Sequence, residues 1–233
     1  MCIRDRTSVN DFVMGWKISG SYNGARITGD GKAGALLALK NVDKPFPLEA
    51  KLNVGKTVIR VNGTITKPQE LAAIDMRLYL AGASMADLYP LTGITLPKTP
   101  EFSTEGHLIG VTDKRGGKWT YEKFKGKVGD SDIAGSLVYE AKQPRPLLSG
   151  TVVSNLLQLS DLGPVIGADS NESKKERGVA ANQPANKVLP VEKFTTERWG
   201  SIDADVKITG HKIVHSASLP IENLDTHCLL YTS

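Results

Sequence analysis

Apolar and polar residues alternate in short runs along most of this chain, and Gly, Pro, Asn and Asp separate the runs. Alternation with a period of two puts one set of side chains on one face of a pleated strand. The clearest instance sets Ile74, Met76, Leu78 and Leu80 against Asp75, Arg77, Tyr79 and Ala81. Before it, Leu48, Ala50, Leu52 and Val54 alternate with charged and polar residues. After a Gly55-Lys56 turn, Ile59, Val61 and Ile65 do the same over residues 57–66, which predicts a hairpin. Residues 16–31 carry a further hairpin signal at Ser21-Tyr22-Asn23-Gly24. Strands are also predicted over 102–111, from Trp119 onward, on both sides of the Gly129–Asp132 turn, in a third run beyond the Pro144 and Pro146 kink, over 201–209, and from Leu219. In the 201–209 run Ile202, Ala204, Val206 and Ile208 oppose Asp203, Asp205 and Lys207.

Helical signals are few. Ser84 is placed to cap a short helix over 85–89 that Pro90 closes, residues 35–42 suit a helical turn or two, and 191–199 suit a helix. Residues 110–117 contain a turn at 114–117. A polar stretch without periodicity, 168–190, is predicted to be a flexible loop. Asp87-Leu88-Tyr89-Pro90-Leu91-Thr92-Gly93 and Asp161-Leu162-Gly163-Pro164-Val165-Ile166-Gly167 share Asp, Leu, Pro and Gly at equal offsets. Such recurrence suits a sheet that grows by repetition.

Composition agrees with a β-rich chain of 233 residues: 40% hydrophobic, only 6% aromatic, and 23 glycines. The net charge of +4 comes from scattered Lys and Arg among 25 acids, so no basic block marks a nucleic-acid surface. No apolar run approaches the roughly 20 residues of a membrane-spanning helix. The ends, 1–6 and 228–233, do not read like the remainder and resemble translated adapter sequence. On that expectation both cysteines, Cys2 and Cys228, fall outside or at the margin of the authentic chain, which then has no disulfide framework. The expected organisation is a β region over 7–167, the polar loop over 168–190 and a continuation of the β region over 191–227.

Candidate chemistry is thin. Gly129-Asp130-Ser131 resembles the start of a GDSL-type esterase motif, but Ser131 falls at a hairpin tip and no Asp-x-x-His follows. His211 and His215 have a helical metal-ligand spacing in a strand-like context, and His107 and His227 are distant in sequence. Asp203 and Asp205 share a strand face with Lys207. Trp16, Trp119 and Trp199 are far apart. No metal site, cofactor or catalytic residue is therefore assigned. What remains is the apolar face. It either meets another sheet in a dry sandwich or lines an open trough in which acyl chains gain on the order of 0.8 kcal/mol per buried methylene. A strand of eight residues spans about 26 Å, comparable to an acyl chain.

Residues 126–167 resemble the AsmA family of bacterial envelope proteins in three elements: the Gly129-Asp130-Ser131-Asp132 tip, the Arg145-Pro146-Leu147-Leu148 kink and the 159–167 stretch. The polar loop, Asp203-Ala204-Asp205-Val206 and Leu219-Pro220-Ile221-Glu222-Asn223-Leu224 follow in the family's order. The resemblance implies a mainly β fold: a curved, twisted, mostly antiparallel open sheet forming an apolar groove, with short connecting helices, the alternative being a closed β-sandwich. It also implies a non-enzymatic protein on the periplasmic face of the inner membrane of a Gram-negative bacterium. Such a protein would be anchored by an N-terminal helix that this chain does not include. It would take part in outer-membrane biogenesis with phospholipid as its partner. The other expectation for function is a structural envelope protein, with a Ser131 esterase as the least favoured. The expected lipid-facing residues are Leu52, Val54, Ile59, Val61, Ile74, Met76, Leu78, Leu80, Ile133, Leu137, Ile202, Val206 and Ile208.

Overall fold

The structure is a computed structural model, and it describes residues 12–36, 44–67, 72–92, 99–113, 116–158, 161, 202–214 and 220–230. Eleven strands form one sheet in strict sequence order. They are β1 (Met14–Tyr22), β2 (Ala25–Ala33), β3 (Phe46–Val54), β4 (Thr57–Thr66), β5 (Ala73–Gly82), β6 (Phe102–Asp113), β7 (Gly116–Val128), β8 (Ser131–Glu140), β9 (Leu147–Gln158), β10 (Asp203–Val214) and β11 (Pro220–Leu230). The sheet is open and does not close into a barrel. Among the described residues no second sheet lies on it, so the sandwich alternative is not what forms. Neighbours pair antiparallel except β9 and β10, which run parallel. A parallel pair needs a long crossover, and residues 159–202 supply it.

Short connections explain the antiparallel order. Asn23-Gly24 joins β1 to β2 with positive φ at both residues, and Gly55 (φ 59) and Gly129 (φ 59) begin the β3–β4 and β7–β8 turns. Asn and Gly tolerate this left-handed region at little cost, which suits two-residue hairpins.

The helical segment differs in detail from expectation. Ser84 does cap it, its Oγ accepting from Ala86 N at 3.3 Å. A 3-10 turn, Met85–Leu88, passes directly into α1 (Tyr89–Thr92). Pro90 therefore lies inside the first turn of α1 and does not close the helix. A proline there gives up only an N–H that has no helical partner. Strand β7 also starts earlier than Trp119: Gly116 and Gly117 pair with Asp113 and Thr112 instead of forming the turn. The predicted helix at 191–199, the loop at 168–190 and most of the 35–42 turn lie outside the described residues.

Register carries one face across the whole sheet. A single row runs Met14, Ala33, Leu48, Gly63, Met76, Leu108, Tyr121, Leu137, Gly150, Val206 and Cys228, one residue per strand. The opposite face carries rows such as Lys32, Glu49, Asn62, Arg77, His107 and Glu122. Because the side-chain period is two, a slip of one residue would exchange the faces. A β-bulge in β7 between Tyr121 and Phe124 absorbs one such slip. It leaves Tyr121 and Phe124 on the same side, stacked at 5.2 Å with planes 7° apart.

Candidate functional site

The apolar face is the candidate site. Glycines occupy many of its positions, and rings from the adjoining strands lie over them. A Cβ on Gly31 would meet the Trp16 ring at 2.6 Å, one on Gly106 the Tyr121 ring at 2.7 Å, and one on Gly110 the Trp119 ring at 2.7 Å. Large side chains thus spread sideways over backbone instead of standing upright. The Tyr121 hydroxyl donates to Thr104 Oγ1 at 3.1 Å, and burial pushes its pKa up. Trp119 and Tyr139 pair at 5.8 Å.

Of the expected lipid-facing residues, Leu52, Val54, Ile59, Val61, Ile74, Met76, Leu78, Leu80, Ile133, Leu137, Val206 and Ile208 all fall on this one face by register. Ile202 lies one residue before β10 and is half-buried. Val54 (2% exposed) and Met76 (5%) are already covered by their neighbours, whereas Leu78, Leu80, Leu137, Val206 and Ile208 remain half-buried. Sequence reasoning did not assign Phe102, Leu108, Trp119, Tyr121, Phe124, Leu148 and Val152 to the site, though they continue the same face. Across β7 the signal that could have found them is the phase break at Glu122-Lys123, where two polar residues in succession mark the bulge.

At one end of the strands the helical segment covers the face. Leu88 forms a cluster with Phe102 and Val128, against which Leu80, Met85, Leu91 and Ile133 pack. The Asn23 side chain of the β1–β2 turn donates to Pro90 O at 2.9 Å. Ser84 Oγ also accepts from Thr99 N at 3.0 Å, and Met85 N donates to Thr99 Oγ1 at 3.0 Å, which fixes both ends of the excursion.

The Gly129–Asp132 tip is a clamp. Asp161 is buried, and its Oδ2 accepts from Asp130 N (3.0 Å), Ser131 N (3.0 Å) and Ser131 Oγ (2.7 Å). Ser131, 1% exposed, accepts in turn from Gln158 N at 2.9 Å. Asp132 accepts from Leu156 N (2.6 Å), Asn155 N (3.1 Å) and Asn155 Nδ2 (2.9 Å). Burial raises its pKa, but these bonds, with Ser154 Oγ, outweigh burial and hold it below the ordinary carboxylate value. Beyond Val153 the β8–β9 pairing ends, and these side chains take the place of ladder acceptors. A side chain on Gly129 would run into the Asp161 carboxylate.

The polar face holds charges in pairs. His107 bridges two strands: Nε2 lies 2.6 Å from Asp75 Oδ1 and Nδ1 2.9 Å from Glu122 Oε1. The hydrogen bonds to Asp75 and Glu122 raise its pKa against the opposing effect of burial. His227 and Asp205 meet at 2.7 Å, Asp203 faces Arg145 at 3.5 Å, and Lys118 reaches Glu140 at 2.8 Å, drawing that carboxyl's pKa down. Asp203 and Asp205 thus serve different partners. His211 is exposed on β10, and His215 and Trp199 lie outside the described residues. Among the described residues no three His, Cys, Asp or Glu side chains are arranged to hold a metal ion, and no helix is long and apolar enough to cross a membrane.

The sequence profile described as "AsmA family" matches residues 3–231. This chain belongs to the AsmA family. It is 44% identical over 234 residues to the AsmA family protein YhjG of Escherichia coli (strain K12), covering 97% of this chain. The alignment spans 34% of that relative, so the chain corresponds to about a third of its length. No solved structure matches. AsmA family proteins are bacterial envelope proteins, which agrees with a location in a Gram-negative envelope.

Proposed function

We propose that the apolar face carries phospholipid between the membranes of a Gram-negative envelope, with the protein held at the periplasmic face of the inner membrane. The observation that carries this is the registered apolar face, which crosses all eleven strands without a second sheet upon it among the described residues. A sheet that curls about such a face makes a trough. Acyl chains laid in it leave water at a gain of about 0.8 kcal/mol per methylene. The glycines beneath flattened rings leave few shaped pockets, which suits passage of many lipids over tight capture of one. No chemical step is part of this function. Ser131, the one nucleophile suggested by a motif, is buried and donates its hydroxyl to Asp161 while accepting from Gln158 N.

A second function, a structural element of the envelope with the face packed dry, is favoured by the burial of Val54, Met76, Phe102 and Phe124. Photocrosslinking separates the two. A crosslinker at Leu78 or Leu137, both half-buried on the apolar face, captures phospholipid in cells well above the level at Asp75 on the opposite face. Equal capture at the three positions would overturn lipid conduction and leave the structural function. Met76 is a poor reporter because its neighbours already cover it.

A further inference from the structure

The two ends of the strands are chemically unlike where β5 to β9 form the face. At one end lie the helical segment 85–92 and the β7–β8 turn. Here the apolar face finishes in Leu80, Phe102, Val128 and Ile133 beneath Leu88, a wholly hydrocarbon closure. Among the described residues the charged groups at that end include Asp87, Glu101, Asp130, Asp132 and the buried Asp161 against Lys56 and Lys127, an excess of acid. At the other end the connections carry Lys44 before β3, Lys67 after β4 and Lys142 after β8. None of these three makes an ion pair among the described residues. Of the acids at that end among the described residues, Glu140 and Asp203 are engaged by Lys118 and Arg145, and Asp113 closes β6. The apolar face ends there in Trp119 and Tyr139, paired across β7 and β8. Trp and Tyr combine an apolar body with a polar tip and favour the level of lipid headgroups.

We infer that this part of the face orients its lipid: an anionic glycerophospholipid lies along the strands, its phosphate at the Lys67 and Lys142 rim and its acyl ends toward the Leu88 closure. This rests on the proposed lipid-carrying function and specifies how the lipid lies. Dimensions agree. Strands of 10 to 13 residues span about 33–43 Å, whereas one leaflet of acyl chains occupies about 15 Å of a 30 Å hydrocarbon core. A lipid so placed reaches from the basic rim to about mid-strand without displacing the helical segment. Charge supplies the direction. A cationic rim attracts a phosphate, while the acidic, hydrocarbon-sealed rim repels one.

The test uses two phosphatidylglycerol probes, one with a diazirine at the acyl terminus and one with it on the headgroup, photolysed on the protein and mapped by peptide mass spectrometry. The headgroup probe is expected on peptides holding Trp119 and Tyr139, and the acyl probe on those holding Leu78 and Leu108, on the same face near mid-strand. The same peptides labelled equally by both probes would overturn the orientation while leaving lipid carriage intact. Label no higher on the apolar face than on the polar face, from either probe, would overturn both. Substituting Lys44→Glu, Lys67→Glu and Lys142→Glu together, all rim positions outside the apolar face, should weaken phosphatidylglycerol labelling about tenfold or more. Unchanged labelling with the same β-sheet circular dichroism would overturn the assignment of the phosphate to that rim.

Discussion

Two carboxylate networks on this sheet look alike in a list of distances and differ in everything that sets their worth. Around the β7–β8 turn, Asp161 and Asp132 accept at 2.6–3.1 Å from backbone N–H groups and from Ser131 and Asn155. On the polar face, Asp75 and Glu122 hold His107 at 2.6 and 2.9 Å. The first network satisfies backbone donors that the strand ladder no longer reaches, Ser131 N buried and Asp130 N and Leu156 N partly so. The second joins side chains that water also reaches. Removing an acceptor from buried donors costs their full desolvation. Removing one from solvated side chains costs little, because water replaces it. The clamp should therefore behave as structure and the His107 bridge as an adjustable surface feature.

The sharpest way to break that contrast is Asp161→Ala. It strips the acceptor from Asp130 N, Ser131 N and Ser131 Oγ at once. A loss of about 3 kcal/mol is expected, since each buried donor left unpaired costs about 1–3 kcal/mol and the hydroxyl can rotate to another acceptor. The urea unfolding midpoint measures it. A loss under about 1 kcal/mol would mean that the buried network is no stronger than a surface one.

Asp132 gives the intermediate effect and a sign. Its carboxyl is held below its ordinary value, so its stabilisation is fully present above the unfolded carboxylate pKa. That stabilisation is lost as pH falls through the folded value. The protein should weaken between about pH 5 and pH 2 more steeply than Asp132→Asn does. At neutral pH the variant should lose about 1–2 kcal/mol, because an amide oxygen still accepts but without charge. Parallel acid limbs in the two proteins would place the titration elsewhere.

Much of this arrangement was legible in the residues. The period-two runs found ten of the thirteen groove candidates on β3, β4, β5 and β8, since one registered ladder carries parity from strand to strand. Turn chemistry at Asn23-Gly24, Gly55 and Gly129 located three hairpins, because positive φ is a local demand that few residues meet. Long-range partnership was not legible. Ser131 resembled a nucleophile because its neighbours in sequence suit a turn and an active site equally. What assigns it is Asp161, 30 residues away. Bulges escape a strict alternation count, so β7 lost its phase at Glu122-Lys123 and Phe124 was not connected to Tyr121. Pro90 in the first turn of α1 reads as a stop in the sequence, because a proline inside a helix and one in its first turn look the same without the helix boundary.

The smallest effect belongs to His107, and its pH sign is opposite to that of Asp132. Both ring nitrogens face carboxylate oxygens, yet a neutral imidazole has only one N–H to donate. The bridge is complete only when the ring is protonated. Its folded pKa is raised, by the hydrogen bond to Asp75 first and that to Glu122 next. The stabilisation is therefore present in full below the ordinary histidine value near 6.5 and is lost as pH rises through the raised value. Arg77 and Glu105, with Lys123 and Lys125 of β7, share this polar depression and add charges of both signs around the ring. With the imidazole side chain about a third exposed, salt should screen most of the gain. Unfolding midpoints measured from about pH 6 to pH 9 should fall slightly in the native protein and stay flat in His107→Gln, with the difference shrinking in about 1 M salt, where the Debye length is near 3 Å. A fall as steep as the acid limb of Asp132, or one that salt leaves untouched, would show that this open bridge is as tightly coupled to folding as the buried clamp.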